Sequence, residues 1–280
     1  MTDNEKLRIR IISSFVLVIF SLILLLSNDF VFLVLTQLII FLANWEILRL
    51  LKFKDIGNNF LDYNKSNFLL SRCKISINEF FFIFLISLFI IFFYIDLLFF
   101  QLFLSFLIIF QTLKLKLNTY TNIFVLLYLN SAFVFLVLLR LDSNFLNYIS
   151  FIILFSMIVD ISCYSSGKLL GGKKLAINIS PNKTISGAIG GIILPFFVCF
   201  IIFYKNGNFF EIFFLTLIFS LISQAGDLFE SKFKRLCAVK DSSNLIPGHG
   251  GILDRLDSII PLIIFVSIMK LFDYNFFFVV

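Results

Sequence analysis

The sequence predicts an all-α polytopic membrane protein with about nine transmembrane helices. Of its 280 residues, 60% are hydrophobic and 18% aromatic, whereas soluble domains are only about half apolar. Long apolar runs recur along the chain, and they lack the alternation that a membrane β-barrel strand requires. Lysine and arginine concentrate in alternate connections between these runs, which is typical of a chain that crosses a bilayer repeatedly.

A membrane span needs about 20 mostly apolar residues. The charged N-terminal segment runs directly into an apolar stretch without a small-residue cleavage site, so we expect the first span to be retained. Very short turns join the first two spans and also the third and fourth, which indicates helical hairpins. The nine predicted spans are 11–27, 30–48, 79–95, 97–113, 121–139, 145–166, 187–204, 209–228 and 256–272.

The distribution of positive charge predicts that the N-terminus is cytoplasmic. With that orientation, 20 of the 23 Lys and Arg residues fall in the N-terminal tail or in cytoplasmic connections. The other side receives only Arg140, Lys205 and Lys270. Because the cations are spread over several connections, the net charge of +6 reflects topology, and we expect no nucleic-acid partner.

Polar residues are unevenly distributed between two predicted domains. Residues 1–150 are expected to form transmembrane helices that serve as a scaffold, for lipid access and for dimer contacts, and residues 151–280 a catalytic transmembrane domain. In the first domain, Glu46 next to Trp45 is interpreted as a snorkelling carboxylate beside an interfacial aromatic residue. Connection 52–78 is predicted to be an ordered cytoplasmic segment or a short interfacial helix. The four cysteines form no CxxC pair, which favours a role as small apolar residues.

The segment Ser231–Ser258 carries most of the functional information. It contains five cationic residues, three aspartates, three glycines and the only histidine, His249. Each buried ionisable group costs several kcal/mol unless it is paired or binds a metal, so packing alone does not explain this concentration of charge beside the bilayer. Glycines around His249 predict a tight turn where backbone can approach a ligand closely. The pattern predicts a cytoplasmic site for a polyanionic, metal-carrying ligand.

A second candidate region begins at Asp160 and continues through the connection 167–186. This connection holds four lysines and ends at Thr184, where the next helix is predicted to begin. Ser or Thr at a helix start, followed by glycine, leaves backbone N–H groups available for a phosphate. The alternative is an ordinary positively charged cytoplasmic loop.

Aspartates supply the candidate metal ligands. Asp227 ends the eighth predicted span, and Asp254 and Asp257 lie at the start of the ninth. Each could instead cap a helix or pair with a nearby lysine. Carboxylate oxygens without a soft ligand cluster favour Mg²⁺, held together with substrate phosphates.

These residues resemble the phosphatidate cytidylyltransferase (CDP-diacylglycerol synthase) family. The family's C-terminal pattern is met at Ser231, Phe233, Lys234, Arg235, Lys240, Asp241, Ser243, Ile246, Pro247, His249, Gly250, Gly251, Ile252, Asp254, Arg255, Leu256 and Asp257. An upstream pattern is met at Asp160, Tyr164, Gly167, Gly172, Lys173, Leu175, Ile179, Ser180, Pro181, Lys183, Thr184 and Gly187. The chain departs from the family at Ser162, where many members have Gly, and at Ser186, where Glu is common. The first 150 residues resemble the family only in hydropathy and around Asn44-Trp45-Glu46.

The resemblance implies the reaction CTP + phosphatidate → CDP-diacylglycerol + diphosphate at the cytoplasmic face of a bacterial inner membrane. It assigns catalysis to Asp227, Lys234, Arg235, Lys240, Asp241, Asp254 and Arg255. It assigns substrate binding to Ser180, Lys183, Thr184, Ser231, His249, Gly250 and Gly251. The implied Mg²⁺ ligands are Asp227 and Asp254, with Asp160, Asp241 and Asp257 as further candidates. A monovalent cation such as K⁺ beside Mg²⁺ and a homodimer are further expectations.

Other functions would leave different patterns. An ion-coupled transporter could use Asp160 and Asp227 as coupling sites, but it predicts polar residues in both halves and repeat symmetry. A lipid-binding scaffold would not need these cationic and acidic motifs together. A phosphotransferase acting on a CDP-alcohol would carry a different acidic repeat, which is absent here.

Overall fold

A computed structural model of the protein describes residues 3–56, 120–274 and 276. The predicted spans 79–95 and 97–113, most of connection 52–78, and Cys73 lie outside these residues. The described elements, in chain order, are α1 (Asp3–Leu26), α2 (Asp29–Ile56), α3 (Tyr120–Arg140), α4 (Phe145–Leu170), β1 (Lys174–Ala176), β2 (Ser180–Thr184), α5 (Ile185–Phe203), α6 (Phe209–Leu236), α7 (Leu253–Leu256) and α8 (Ile259–Leu271).

The described helices are those of a polytopic membrane protein. Five of them, α1, α2, α4, α5 and α6, are long and apolar enough to cross a membrane, and α3 and α8 contain shorter apolar helical stretches. Large apolar side chains such as Phe15 and Ile201 are 66% and 71% exposed, as expected of groups that contact acyl chains. Each of the seven predicted spans on described residues coincides with a helix for most of its length. The total of nine spans and the cytoplasmic N-terminus stay predictions.

The structure differs from the predicted elements at three places. The connection 167–186 contains an antiparallel hairpin in which Lys174 pairs with Thr184, so the described chain is not entirely α-helical. Helix α6 continues past residue 228 to Leu236 and carries Lys234 and Arg235 in its last turn, where the helix dipole stabilises cations. The predicted ninth span is interrupted after α7, because the Asp257 carboxylate accepts the Ser258 N–H at 2.8 Å and competes with the helical hydrogen bond.

The described residues belong to two compact units. Unit 1 comprises Met1–Val137 and Lys234–Arg255, and unit 2 comprises Leu138–Phe233 and Leu256–Val280. The predicted division of function near residue 150 stays a prediction.

In unit 1, helices α2 and α3 are joined by a buried amide pair. Asn44 and Asn130 exchange side-chain hydrogen bonds of 3.0 and 3.1 Å, and their exposed fractions are 1% and 0%. Each amide also donates to a carbonyl one turn earlier in its own helix. Because both polar groups are satisfied, they remain stable among apolar side chains.

In unit 2, helices α4 and α5 approach closely because glycines lie between them. A Cβ atom on Gly187 would lie 2.7 Å from the Cys163 carbonyl oxygen, and one on Gly191 would lie 2.2 Å from the Cys163 Sγ. Small residues four positions apart allow such close backbone contact between membrane helices. Nearby, the Phe219 ring packs against Phe151 and Phe155 with centroid distances of 5.4 and 5.6 Å.

We predict that Gly187→Ala destabilises the protein by about 1–3 kcal/mol, because the added methyl group must push helix backbone apart. The measurement is chemical unfolding of the detergent-purified protein, followed by circular dichroism. Ile189→Ala is the control, since Ile189 lies in the same helix and is 51% exposed. Equal stability of the two variants would contradict the predicted close contact.

Candidate functional site

Unit 2 contains a cavity of about 590 Å³, a size typical of small-molecule sites. Helices α4, α5 and α6 and the β-hairpin supply its lining. Asp160 and Asp227 are the two carboxylates on its wall, and Lys168, Lys174 and Lys183 are the three lysines. With three lysines and two carboxylates on its wall, the cavity can bind an anionic ligand at the lysines and a cation at the carboxylates.

The N-terminus of α5 opens at this cavity, as the sequence predicted. Thr184 is the N-cap residue, and its Oγ1 accepts the Gly187 N–H at 3.1 Å. A Cβ on Gly167 would lie 2.8 Å from the same Oγ1, so glycine is required for α4 to pass this cap. Ser186, which stands where the family commonly has Glu, donates its hydroxyl hydrogen to the Gly171 carbonyl. Ser186 therefore ties the end of α4 to the start of α5.

Asp227 pairs with Lys183 at the wall of the cavity. Their side chains form an ion pair and remain 25% and 30% exposed, respectively. Ser231, one turn further along α6, donates to the Asp227 Oδ1 at 3.4 Å. The structure thus brings together five of the predicted site residues on the cavity wall, since Asp160, Ser180 and Thr184 also line it.

Unit 1 contains a second cluster around Asp254. The Lys234 Nζ lies 2.5 Å from the Asp254 Oδ1, and the two side chains are 9% and 7% exposed. The Oδ2 accepts hydrogen bonds from the Ser242 N–H, the Ser242 hydroxyl and the Gly251 N–H at 3.0, 3.0 and 2.8 Å. Burial alone would raise the pKa of the Asp254 carboxyl, but the Lys234 ammonium and these hydrogen bonds hold it below its usual value. Asp254 is therefore ionised at neutral pH.

The glycine-rich turn has the geometry that the sequence predicted. Gly248 and Gly250 have φ angles of +78° and +87°, which residues with a Cβ rarely adopt. The Ile246 N–H donates to the Gly250 carbonyl at 2.8 Å, and the Gly250 N–H returns a bond of 3.1 Å. A Cβ on Gly250 would lie 2.6 Å from the Asp254 Oδ2. Backbone therefore approaches the carboxylate more closely than any side chain would permit.

His249 contacts the first helix. Its Nδ1 lies 2.7 Å from the Ser13 hydroxyl and its Nε2 lies 3.2 Å from the Ser14 hydroxyl. Burial lowers the pKa of His249, and the Arg255 guanidinium lowers it further. Arg255 also donates to the His249 carbonyl at 2.9 Å. Contact between His249 and a substrate phosphate stays a prediction and would replace one of the two serine contacts.

The remaining predicted residues have more local contacts. Arg235 donates to the Val239 carbonyl at 2.7 Å and so closes the end of α6. Lys240 is exposed, and Asp241 is partly exposed beside Gly250. Asp257 holds the Ser258 N–H. Catalytic or metal-binding roles for these side chains stay predictions.

The interpretation of Glu46 as a snorkelling carboxylate is wrong. Its side chain is fully buried, with 0% exposure, and its carboxylate accepts hydrogen bonds from the segment 242–253. The neighbouring Trp45 does pack under a cation, because the Arg49 guanidinium lies 4.3 Å from its ring centroid. Sequence reasoning missed Glu46 because its donors are about 200 positions away in the chain. Its position in a stretch that resembles the family was the available signal.

A divalent cation fits the donors in part. Among the described residues, no group of three or more His, Cys, Asp or Glu side chains is arranged to hold a metal. Mg²⁺ commonly uses only one or two carboxylates, with water and substrate phosphates as the other ligands. Asp160 and Asp227 on the cavity wall meet that requirement. Asp227 and Asp254 belong to different units, so the prediction that they share one ion stays a prediction.

We predict that Lys234→Met destabilises the protein by about 3–5 kcal/mol, because it leaves the Asp254 carboxylate buried without its cation. Chemical unfolding of the purified variant measures this loss. Lys234→Met combined with Asp254→Asn should recover part of the loss, since no buried charge then remains at this pair. Lys232→Met is the matched control, because Lys232 is exposed on the same helix. A Lys234→Met protein as stable as this control would contradict the prediction.

The chain is similar to several bacterial proteins named phosphatidate cytidylyltransferase. It is 42% identical over 142 residues to that of Staphylococcus haemolyticus, covering 49% of this chain and 54% of the relative. It is 46% identical over 127 residues to that of Staphylococcus aureus, covering 43% and 49%. It is 44% identical over 137 residues to that of Rickettsia bellii, covering 45% and 58%. The chain thus spans about half the length of the curated relatives it matches.

The family comparison covers much more of the chain. The profile of the cytidylyltransferase family matches residues 8–272, a range that includes both clusters of predicted site residues. The chain therefore belongs to the cytidylyltransferase family.

Proposed function

We propose that this protein is a phosphatidate cytidylyltransferase, which converts CTP and phosphatidate into CDP-diacylglycerol and diphosphate. The observation that carries the proposal is the family match over residues 8–272, which spans the lysine–aspartate pairs of both units. The names of the similar bacterial proteins support the same reaction.

The reaction requires neither a covalent intermediate with the protein nor a general base. A phosphate monoester has its second pKa near about 6, so the phosphatidate phosphate is largely dianionic at neutral pH. One of its oxygens forms a bond to the α-phosphorus of CTP, and the bond from that phosphorus to the oxygen of the departing diphosphate breaks. The protein must therefore place two repelling anions in line and neutralise their charge.

The cavity of unit 2 is suited to bind phosphate. The α5 N-terminus presents backbone N–H groups that follow the Thr184 cap, and Lys183 precedes it in the chain. Lys168 and Lys174 add positive charge on the same wall. We assign Lys183, Ser180 and Thr184 to substrate phosphate binding, because helix N-termini and lysines both stabilise phosphate charge.

The Asp254 cluster of unit 1 supplies the other charged groups. Arg255 uses one nitrogen for the His249 carbonyl and keeps further N–H donors for a phosphate. Lys234 keeps Asp254 ionised and in place. Mg²⁺ would be held by Asp227 and Asp254, with Asp160, Asp241 and Asp257 as further candidates, and would stabilise charge on the departing diphosphate.

The proposed location of this chemistry is the cytoplasmic face of a bacterial inner membrane. Apolar helices support membrane insertion, and the excess of lysine and arginine in alternate connections supports a cytoplasmic N-terminus. CTP would reach the site from the cytosol, while the acyl chains of phosphatidate would remain in the bilayer. A homodimer and a monovalent cation beside Mg²⁺ stay predictions.

We predict that Asp254→Asn lowers CDP-diacylglycerol formation by at least about 100-fold, because it removes a proposed ligand of the Mg²⁺ that would neutralise the reacting phosphates. Asparagine keeps an acceptor oxygen for Ser242 and Gly251, but the variant should be less stable than the unmodified protein, because the buried Lys234 ammonium loses its carboxylate partner. Purified protein is assayed with CTP, phosphatidate and Mg²⁺, and its helix content is measured separately. Asp273→Asn is the control, because Asp273 is exposed and lies outside both clusters. Full activity of a folded Asp254→Asn protein would refute this role.

Activity should also depend on a divalent cation. Excess EDTA should abolish product formation, and added Mg²⁺ should restore it, since two repelling polyanions must be brought together. Undiminished turnover in excess EDTA would remove Mg²⁺ from the proposed mechanism.

A further inference from the structure

Glu46 is an unusual carboxylate for a helix of this kind. It lies on α2, a helix apolar enough to cross a membrane, and has 0% exposure. A carboxylate in such surroundings costs several kcal/mol unless donors replace its lost water. Its two oxygens accept four hydrogen bonds, all from residues 242–253 of the same compact unit. The burial of Glu46 therefore depends on the donors of this one segment.

The two carboxylate oxygens hold both ends of the segment 242–253. Oε1 accepts from the Ser243 hydroxyl at 2.5 Å and from the Ile252 N–H at 3.0 Å. Oε2 accepts from the Ser242 hydroxyl at 2.9 Å and from the Leu253 N–H at 2.9 Å. One side chain of α2, about 200 positions earlier in the sequence, therefore connects the two ends of the segment that carries the glycine-rich turn.

Ser242 connects this carboxylate to Asp254. Its hydroxyl oxygen lies 2.9 Å from the Glu46 Oε2 and 3.0 Å from the Asp254 Oδ2. A hydroxyl has a single hydrogen to donate, so the two carboxylates share one donor. A displacement of either carboxylate changes the hydrogen bond available to the other, and their positions are coupled.

Gly251 shows how little room this arrangement leaves. A Cβ atom there would lie 1.9 Å from the Ser242 Oγ and 2.5 and 2.7 Å from the two Glu46 oxygens. Any side chain at this position would displace both groups. The backbone of the turn, Glu46 and Ser242 are thus packed into one arrangement.

We propose that Glu46 is a positioning residue for the reaction, and that it holds Asp254 in place through the Ser242 hydroxyl. Helix α2, from the part of the chain predicted to be scaffold, would then contribute directly to the geometry of the charged site. The activity and Mg²⁺ consequences rest on the proposed function, whereas the hydrogen-bonded arrangement can be tested without substrate.

Ser242 and Ser243 form a matched pair for this test. Both are buried, with exposed fractions of 0% and 6%, and both donate to Glu46. Only Ser242 contacts Asp254, whereas Ser243 accepts the Leu245 N–H at 3.2 Å. A purely structural role of the network predicts similar effects of the two alanine substitutions. A positioning role predicts that only Ser242→Ala changes the behaviour of Asp254.

The first measurement is activity against Mg²⁺ concentration. Removing a group that orients a metal ligand typically lowers metal affinity or activity about 10–100-fold. Ser242→Ala should raise the half-saturating Mg²⁺ concentration by about 10-fold or more. Ser243→Ala should stay within about 2-fold of the unmodified protein. The thermal unfolding temperature, titrated with Mg²⁺ alone, should show the same order and does not depend on turnover.

The second measurement is hydrogen–deuterium exchange of the purified protein without substrate. Glu46→Gln should accelerate exchange at Ile252 and Leu253, because an amide presents one acceptor oxygen where the carboxylate presents two. Ser242→Ala should leave these two amides protected, since Glu46 still accepts from them. Combined with the Mg²⁺ shift, this result would separate displacement of Asp254 from unfolding of the turn.

Two outcomes would overturn the proposal. One is an equal change in Mg²⁺ dependence for Ser242→Ala and Ser243→Ala, and the other is unchanged exchange at Ile252 and Leu253 in Glu46→Gln. If the unmodified protein forms no CDP-diacylglycerol but the exchange and Mg²⁺-stabilisation patterns hold, the proposed function fails and the positioning role stands.

Discussion

The buried carboxylate of Asp254 sets the constraint that organises unit 1. An ionised group with 7% exposure is stable only when donors replace the water it has lost, and here Lys234, Ser242 and Gly251 supply them. These donors come from the end of α6 and from both sides of the glycine-rich turn. Glu46 imposes the same requirement from α2. The charged motif is therefore folded around two carboxylates.

Unit 2 differs from unit 1 in that it forms a polar cavity among apolar helices. Close contact of α4 and α5 at Gly187 places the start of α5 beside the end of α4. The Thr184 cap then leaves the helix N-terminus at the cavity wall, where Lys183 and Asp227 pair. Positive groups suited to phosphate and carboxylates suited to a cation thus line one cavity. This combination supports the proposed reaction between a nucleotide and a lipid phosphate.

Hydropathy and cap patterns predicted much of the fold. Every predicted span on described residues coincides with a helix for most of its length, and the start of α5 after Thr184 was correctly predicted, because apolar length and capping are local properties. The hairpin between α4 and α5 was missed, since its strands are short, polar and largely exposed. The extension of α6 to Leu236 was missed as well, because hydropathy falls at residue 228 although helical hydrogen bonding continues.

The sequence by itself determined the membrane class, the family and the residues of both charged motifs, since each depends on composition or on spacing along the chain. Only the tertiary structure decided which donor each carboxylate uses. Lys183 pairs with Asp227, Lys234 pairs with Asp254, and Glu46 holds residues nearly 200 positions later. Burial selects such partners, because a charge that has lost its water needs a donor within hydrogen-bonding distance. The separation of two residues in the sequence does not determine the distance between them in the fold.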